Sequence, residues 1–228
     1  MPKATFFNLP DDKRARFTSA ALDEFALHDY RTASLSRIVN TVGIAKGSVY
    51  QYFEGKQELY LYVVTLAAET KFGFIDRSLP EGIDDFFERF KLTVYHGARF
   101  DFSQPRLGSI LYNATYEPSG PETLAVSAQL KAASFDYLRG LVEAGIQQGD
   151  LRDDLDVEFT VFALYQLTVS LRAYLSERFA FSFKDAVRDG AGSPVGDDDL
   201  GRVLDELVGL LRGGLARPAA AQRAPPVS

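Results

Sequence analysis

From Tyr30 to Phe53 the chain runs for 24 residues without an acid, while Arg31, Arg37 and Lys46 supply positive charge. That pattern favours a polyanionic partner. The segment from 207 to 228 is also acid-free with three Arg, but it reads as a helix end and tail. Near the end of the first run stand Lys46, Gly47, Ser48, Gln51 and Tyr52, all small or hydrogen-bonding, beside the apolar Val49 and Phe53. These side chains can read a surface by hydrogen bonding. A helix face meeting only water would more often carry Glu and further Lys. Gly47 costs about 0.5–1 kcal/mol inside a helix, and close approach to a DNA backbone is one reason to tolerate it.

Bond-making chemistry is poorly provided for. The chain has no Cys and 2 His, and His28 and His96 lie far apart without a ligand pattern. No catalytic triad, no metal site and no cofactor site can be assembled, and no enzyme is expected.

The elements that must hold the hydrogen-bonding residues are helices. Asp11 or Asp12 can cap a first helix with Phe17, Ala20, Ala21 and Phe25 on its apolar face, ending near Leu27. Ser34 is a good N-cap for a short helix carrying Leu35, Ile38, Val39 and Val42, and Gly43 stops it. After a three-residue turn a second short helix runs from Lys46 to about Phe53, and Lys56 opens a long helix to about Phe74. Two short helices about a Gly-containing turn are the local pattern of a helix-turn-helix, whose second helix enters the DNA major groove. Any small helical protein also contains short helix pairs, so spacing alone leaves both readings open.

The segment from Ser34-Leu35-Ser36-Arg37-Ile38-Val39, through Gly43-Ile44-Ala45-Lys46-Gly47-Ser48-Val49-Tyr50-Gln51-Tyr52-Phe53, to Lys56-Gln57-Glu58-Leu59 resembles the DNA-binding domain of TetR-type (TetR/AcrR) transcriptional regulators. The turn, the recognition helix and the start of the next helix fit in register. The resemblance implies that Lys46, Gly47, Ser48 and Gln51 face the major groove, that Tyr50 and Tyr52 contact phosphates or thymine methyls, and that Lys56 binds a phosphate. Ser36 and Arg37 are further candidates for backbone or base-edge contacts, while Tyr50 can alternatively be a core aromatic. Ala45 stands where the family usually has a capping Ser or Thr, a loss of about 1 kcal/mol. Asp29 stands near the usual Gly after the first helix, a place where Asp tolerates the left-handed conformation.

Beyond residue 72 the amphipathic pattern continues at roughly 81–100, 105–115, 121–149, 156–179 and 198–215, with no sustained strand period. Aromatic residues there either pack helices together or line a cavity for a small, apolar or aromatic effector. The effector candidates are Phe90, Tyr112, Tyr116, Phe135, Phe162, Tyr165 and Gln166. The helix from Phe159 is apolar on more than one face, and Leu200, Val203, Leu204, Leu207, Val208, Leu210 and Leu211 recur at spacings of three and four. Helices at about 156–179 and 198–215 therefore fit a homodimer interface.

The expected architecture is all-α: a flexible N-terminus (1–10), a three-helix helix-turn-helix DNA-binding domain (11–71, motif about 34–53), a helical effector-binding and dimerisation domain (72–216) and a disordered tail (217–228). Its expected work is that of a repressor binding a palindromic double-stranded DNA operator and released by its effector. The alternative is a helical binding or interaction module without DNA. The net charge of -6 speaks against DNA only until it is divided: residues 1 to 60 hold 8 basic and 7 acidic residues, residues 61 to 228 hold 17 and 24. No signal peptide or membrane span is evident, and a cytoplasmic location is expected.

Overall fold

The helical periodicity is matched in the computed structural model, which describes residues 2–190 and 192–218. In chain order the helices are α1 (Ala4–Phe7), α2 (Asp11–Leu27), α3 (Leu35–Val42), α4 (Gly47–Tyr52), α5 (Lys56–Ser78), α6 (Phe86–Ser103), α7 (Pro105–Tyr116), α8 (Pro121–Gln148), α9 (Val157–Arg178), α10 (Phe183–Asp189) and α11 (Asp197–Leu215). No strand occurs among the described residues, and the all-α class holds. No described helix is long and apolar enough to cross a membrane.

Two helices fall outside the expected set. The N-terminus, expected to be flexible, instead holds α1, whose Phe6 is fully buried. Four residues cannot nucleate a helix unaided. Tertiary contact holds this one: Phe6 packs against Phe17, Phe53 and Tyr62, and the Arg14 guanidinium donates to the Phe7 carbonyl at 2.9 Å. The short α10 carries its own signals, a Ser182 cap accepting from the Asp185 N–H and a left-handed Gly190.

The chain forms two packing units. The first comprises Met1–Phe74, Phe100–Lys131 and Ser182–Ser193. Thus α7, α10 and the first part of α8 cluster with the N-terminal helices, whereas the sequence reading divides the chain by function at 71 and 72. Here α2 packs against α3, α7 and α10. Phe17, Ala20, Ala21 and Phe25 are buried as their spacing predicts, and each buried Phe contributes roughly 1.5–3 kcal/mol by leaving water. Arg106 of α7 reaches Ser19 and Asp23 of α2, both at 3.0 Å. Gly108 lets the backbone turn tightly after α6, since a Cβ there would sit 2.8 Å from Asp101 Oδ1 and 3.0 Å from Asp101 Cα. Asp101 in turn pairs with Lys71 at 2.7 Å.

The second unit comprises Ile75–Arg99, Ala132–Phe181 and Pro194–Ser228. Phe86, Phe87 and Phe90 of α6 are buried, as are Val142, Leu164, Leu175, Leu200 and Leu204. The Asp150 carboxylate accepts from the Phe86 N–H at 2.9 Å, capping α6 from a distant part of the chain. Most of the tail expected over 217–228 lies outside the described residues. Its first residue is not loose: the Arg217 N–H donates to the Asp150 carbonyl and its guanidinium pairs with Asp153.

Candidate nucleic-acid interface

Placement of the reading helix begins at the turn before α3. Asp29 does not adopt the left-handed conformation expected of it; among the described non-glycine residues only Ala180 has positive φ. Asp29 instead builds a turn, its carboxylate accepting from the Thr32 N–H and hydroxyl, both at 2.7 Å. Those bonds hold the Asp29 carboxyl below its ordinary pKa. Ser34 caps α3 by accepting from the Arg37 N–H at 3.4 Å, and Ile38 and Val39 bury its inner face. Gly43 ends α3 at φ 77, where the Gly43 and Ile44 N–H groups both donate to the Val39 carbonyl. A side chain at that φ would be strained.

The second short helix, α4, has six residues. Val49 and the following Phe53 are fully buried and fix its inner face. Lys46, Gly47, Tyr50 and Gln51 are exposed, and at spacings of three and four residues they share the outer face. Tyr50, half exposed, is therefore not a core aromatic. A Cβ at Gly47 would meet nothing within 4 Å among the described residues, so no contact there requires its smallness. Ser48 is half-buried at the edge of this face. Tyr52 is half-buried too, with its ring 5.8 Å from Phe17 and 6.1 Å from Phe6, and serves packing. No side chain caps the α4 N-terminus, as Ala45 foretells.

Two candidate contacts are committed to the protein itself. Arg37 places Nε 3.0 Å from both Glu24 carboxylate oxygens and Nη2 2.6 Å from Oε1, and Nη2 also donates to the Thr32 carbonyl. Glu24 is buried and also accepts from the Ser34 N–H at 2.6 Å. Arg37 thus locks the start of α3 to α2 and is not a free base reader. Lys56 donates from Nζ to the Arg31 and Ala33 carbonyls, each at 3.2 Å, and lies 4.7 Å over the Tyr30 ring. It ties the start of α5 to the α2–α3 turn. Ser36 is half-buried on α3.

Sequence reasoning missed Lys3 and Thr5, whose donors meet carbonyls of α4, and Glu24, the anchor of Arg37. An acid set among the apolar positions of α2 was the available signal for Glu24.

The effector candidates separate. In the first unit Tyr112 and Tyr116, both half-buried on α7, lie 5.1 Å apart. In the second unit Phe90 is buried and stacked 6.1 Å from Phe86, while Phe135 and the buried Tyr165 approach to 4.6 Å. Phe162 and Gln166 do not join them. They lie on the outer stripe of α9 with Phe159, Leu167 and Tyr174, because Val161, Leu164 and Tyr165 occupy the inner face.

Residues 17–63 match the family described as Bacterial regulatory proteins, tetR family, and residues 84–193 match Tetracyclin repressor-like, C-terminal domain. A TetR family transcriptional regulator from Chloroflexus aurantiacus J-10-FL is 37% identical, with TM-score 0.82, covering 96% of this chain and 100% of that one. The HTH-type transcriptional repressor KstR2 of Rhodococcus jostii (strain RHA1) is 23% identical over 189 residues, 80% of this chain and 92% of its own. The fold is shared with the transcriptional regulator FadR from Bacillus subtilis, solved in complex with stearoyl-CoA, at 19% identity and TM-score 0.63, covering 88% of this chain and 98% of that one. With the two-helix reading unit, its exposed face and these matches together, the chain belongs to the TetR family of bacterial transcriptional regulators.

Proposed function

We propose that the protein is a homodimeric repressor that binds a palindromic operator through α4 and is released by a small, largely apolar effector. The observation that carries this reading is the outer face of α4, where Lys46, Gly47, Tyr50 and Gln51 stand exposed on a segment without acids. Lys46 supplies charge toward phosphates, Gln51 supplies the paired donor and acceptor suited to a base edge, and Gly47 leaves room for a backbone. Ser48 and Tyr50 flank them; Tyr52, Lys56, Arg37 and Ser36 support the unit from behind or from its rim.

Homodimerisation is supported by apolar surface that one subunit leaves open. Phe159 is 67% exposed on α9 and Leu210 78% exposed on α11, with Phe162, Leu167 and Tyr174 also exposed. Large apolar side chains left exposed in this way mark an association surface. A two-fold dimer presents two copies of α4 and fits an inverted repeat with half-sites one or more helical turns apart. An effector with a long apolar part is favoured by the aromatic interior of the second unit and by the stearoyl-CoA bound to FadR. Phe90, Phe135 and Tyr165 are the candidates to meet it there; Tyr112 and Tyr116 are a separate candidate pair within the first unit. Release requires that the effector prefer the conformation with low DNA affinity. A protein that reads DNA works in the cytoplasm, where bacterial DNA lies.

The test is fluorescence anisotropy on the DNA upstream of the gene, with and without stearoyl-CoA. Sequence-preferring binding weakened by the acyl-CoA supports the reading. Binding equal on scrambled DNA contradicts it, and indifference to acyl-CoA removes that effector class.

A further inference from the structure

The last carbonyls of any α-helix lack intrahelical partners, and a six-residue helix consists largely of such ends. In α4 every one of them is met. The Val49 carbonyl accepts from the Phe53 N–H at 2.8 Å. The other three are met by the N-terminal segment: Tyr50 O accepts from Lys3 Nζ at 2.9 Å, Gln51 O from the Thr5 hydroxyl, and Tyr52 O from the Lys3 N–H at 2.8 Å. Lys3 also pairs with Glu54 at 2.8 Å, and its charge lies at the negative end of the helix dipole. Phe6, fully buried, fixes the segment in place by its contacts with Phe17, Tyr52, Phe53 and Tyr62.

We propose that Lys3 and Thr5 are positioning residues for DNA reading, a C-terminal clamp without which α4 frays and loses its register against base edges. The inference rests on the reading that α4 meets the major groove. Because no side chain caps the other end of α4, the helix is held by the buried Val49 and Phe53, by the packing of Tyr52 and by this clamp. Fraying from the C-terminal end would loosen Gln51 first and Lys46 last. Base readout should therefore suffer more than phosphate attraction.

Thr5→Val is the cleanest variant, since it removes the donor at nearly constant shape and unchanged charge; Thr5→Ser restores the hydroxyl, and Lys3→Met leaves Phe6 in place. Full-length variants are compared by amide hydrogen exchange over residues 49–53 without DNA, and by anisotropy on operator and scrambled duplexes across a salt series. The expected result for Thr5→Val is about fivefold faster exchange and about fivefold lower preference for operator over scrambled DNA, the worth of one neutral hydrogen bond, with scrambled-DNA affinity and salt slope unchanged. Thr5→Ser should recover both. Unchanged exchange in Thr5→Val and Lys3→Met overturns the clamp whatever the DNA data show. Faster exchange with intact operator preference overturns the positioning role. Equal loss on both duplexes with a flatter salt slope, confined to Lys3→Met, makes Lys3 a direct phosphate contact and also overturns it. Wild-type protein that prefers no sequence overturns the reading of α4, and the positioning role with it, and the exchange comparison tells that failure from failure of the clamp.

Discussion

The Arg37 guanidinium on α3 grips the buried Glu24 carboxylate of α2 with two nitrogens, Nη2 lying 2.6 Å from Oε1. Glu24 is 7% exposed, so removing Arg37 leaves a carboxylate in an apolar setting, whereas removing both partners does not. Arg37→Met should therefore destabilise the protein, and the double variant Glu24→Gln, Arg37→Met should lose less than the sum of the single losses. Thermal or urea unfolding of the four proteins checks this. Additive losses would show that the pair does not couple the helices, and a DNA defect without a stability defect would return Arg37 to the reading surface.

Gly47 separates folding from binding. With open space around its Cβ position and a helical setting, Gly47→Ala should leave stability equal or raise it by about 0.5–1 kcal/mol while weakening operator binding severalfold. Melting curves and anisotropy on the same samples decide. Undiminished binding would mean that nothing approaches α4 closely at that point.

Lys46 and Gln51 should fail in different ways. Lys46→Ala is expected to weaken binding to every duplex and to reduce the salt slope by about 1 per reading head, whereas Gln51→Ala changes which sequence is preferred. Lys56→Ala, with its ammonium held by the Arg31 and Ala33 carbonyls, should lower the melting temperature as well as affinity. Identical binding profiles for Lys46→Ala and Gln51→Ala would contradict the division of roles.

The apolar stripes of α9 and α11 carry the dimer prediction. Phe159→Asp combined with Leu210→Asp alters side chains exposed in the isolated subunit, so folding should be retained. Size-exclusion chromatography with light scattering should read twice 25.2 kDa for the wild type and the single mass for the variant. A wild-type monomer, or a variant that stays dimeric, places association elsewhere.

The turn before α3 should respond to acid. The Asp29 carboxyl is held below its ordinary value first by the Thr32 side chain and then by the Thr32 backbone. A depressed carboxylate pKa contributes stability above the unfolded value of about 3.9, lost as pH falls through the folded value. The Thr32 amide resonance should accordingly titrate with a midpoint below the ordinary aspartate value, and Asp29→Asn should abolish the transition. A midpoint at or above the ordinary aspartate value would show that these bonds do not favour the charged form.

What the sequence shows and what it hides follow from the range of the forces involved. The helices, the Ser34 cap and the Gly43 stop are legible because periodicity and capping act within a few residues. The exposed face of α4 is legible because Val49 and Phe53 declare its inner side. Arg37 and Lys56 were harder, since a cation bound for a phosphate looks the same in sequence as one bound for a carboxylate or carbonyl 13 or 25 positions away. Helix α1 was hidden for the same reason. Its stability comes from Phe17, Phe53 and Tyr62, not from its own four residues. That Phe162 and Gln166 lie on the outer side of α9 is not legible, because α9 is apolar on two sides and composition does not say which side faces inward.

The central assignment is that α4 reads a specific DNA sequence. Hydroxyl-radical footprinting of the upstream DNA with wild-type protein and Gln51→Ala tests it most directly. The assignment predicts two protected half-sites related by two-fold symmetry, with the protection lost or moved by Gln51→Ala. Protection that falls nowhere in particular, or a localised footprint that Gln51→Ala leaves unchanged, would contradict it.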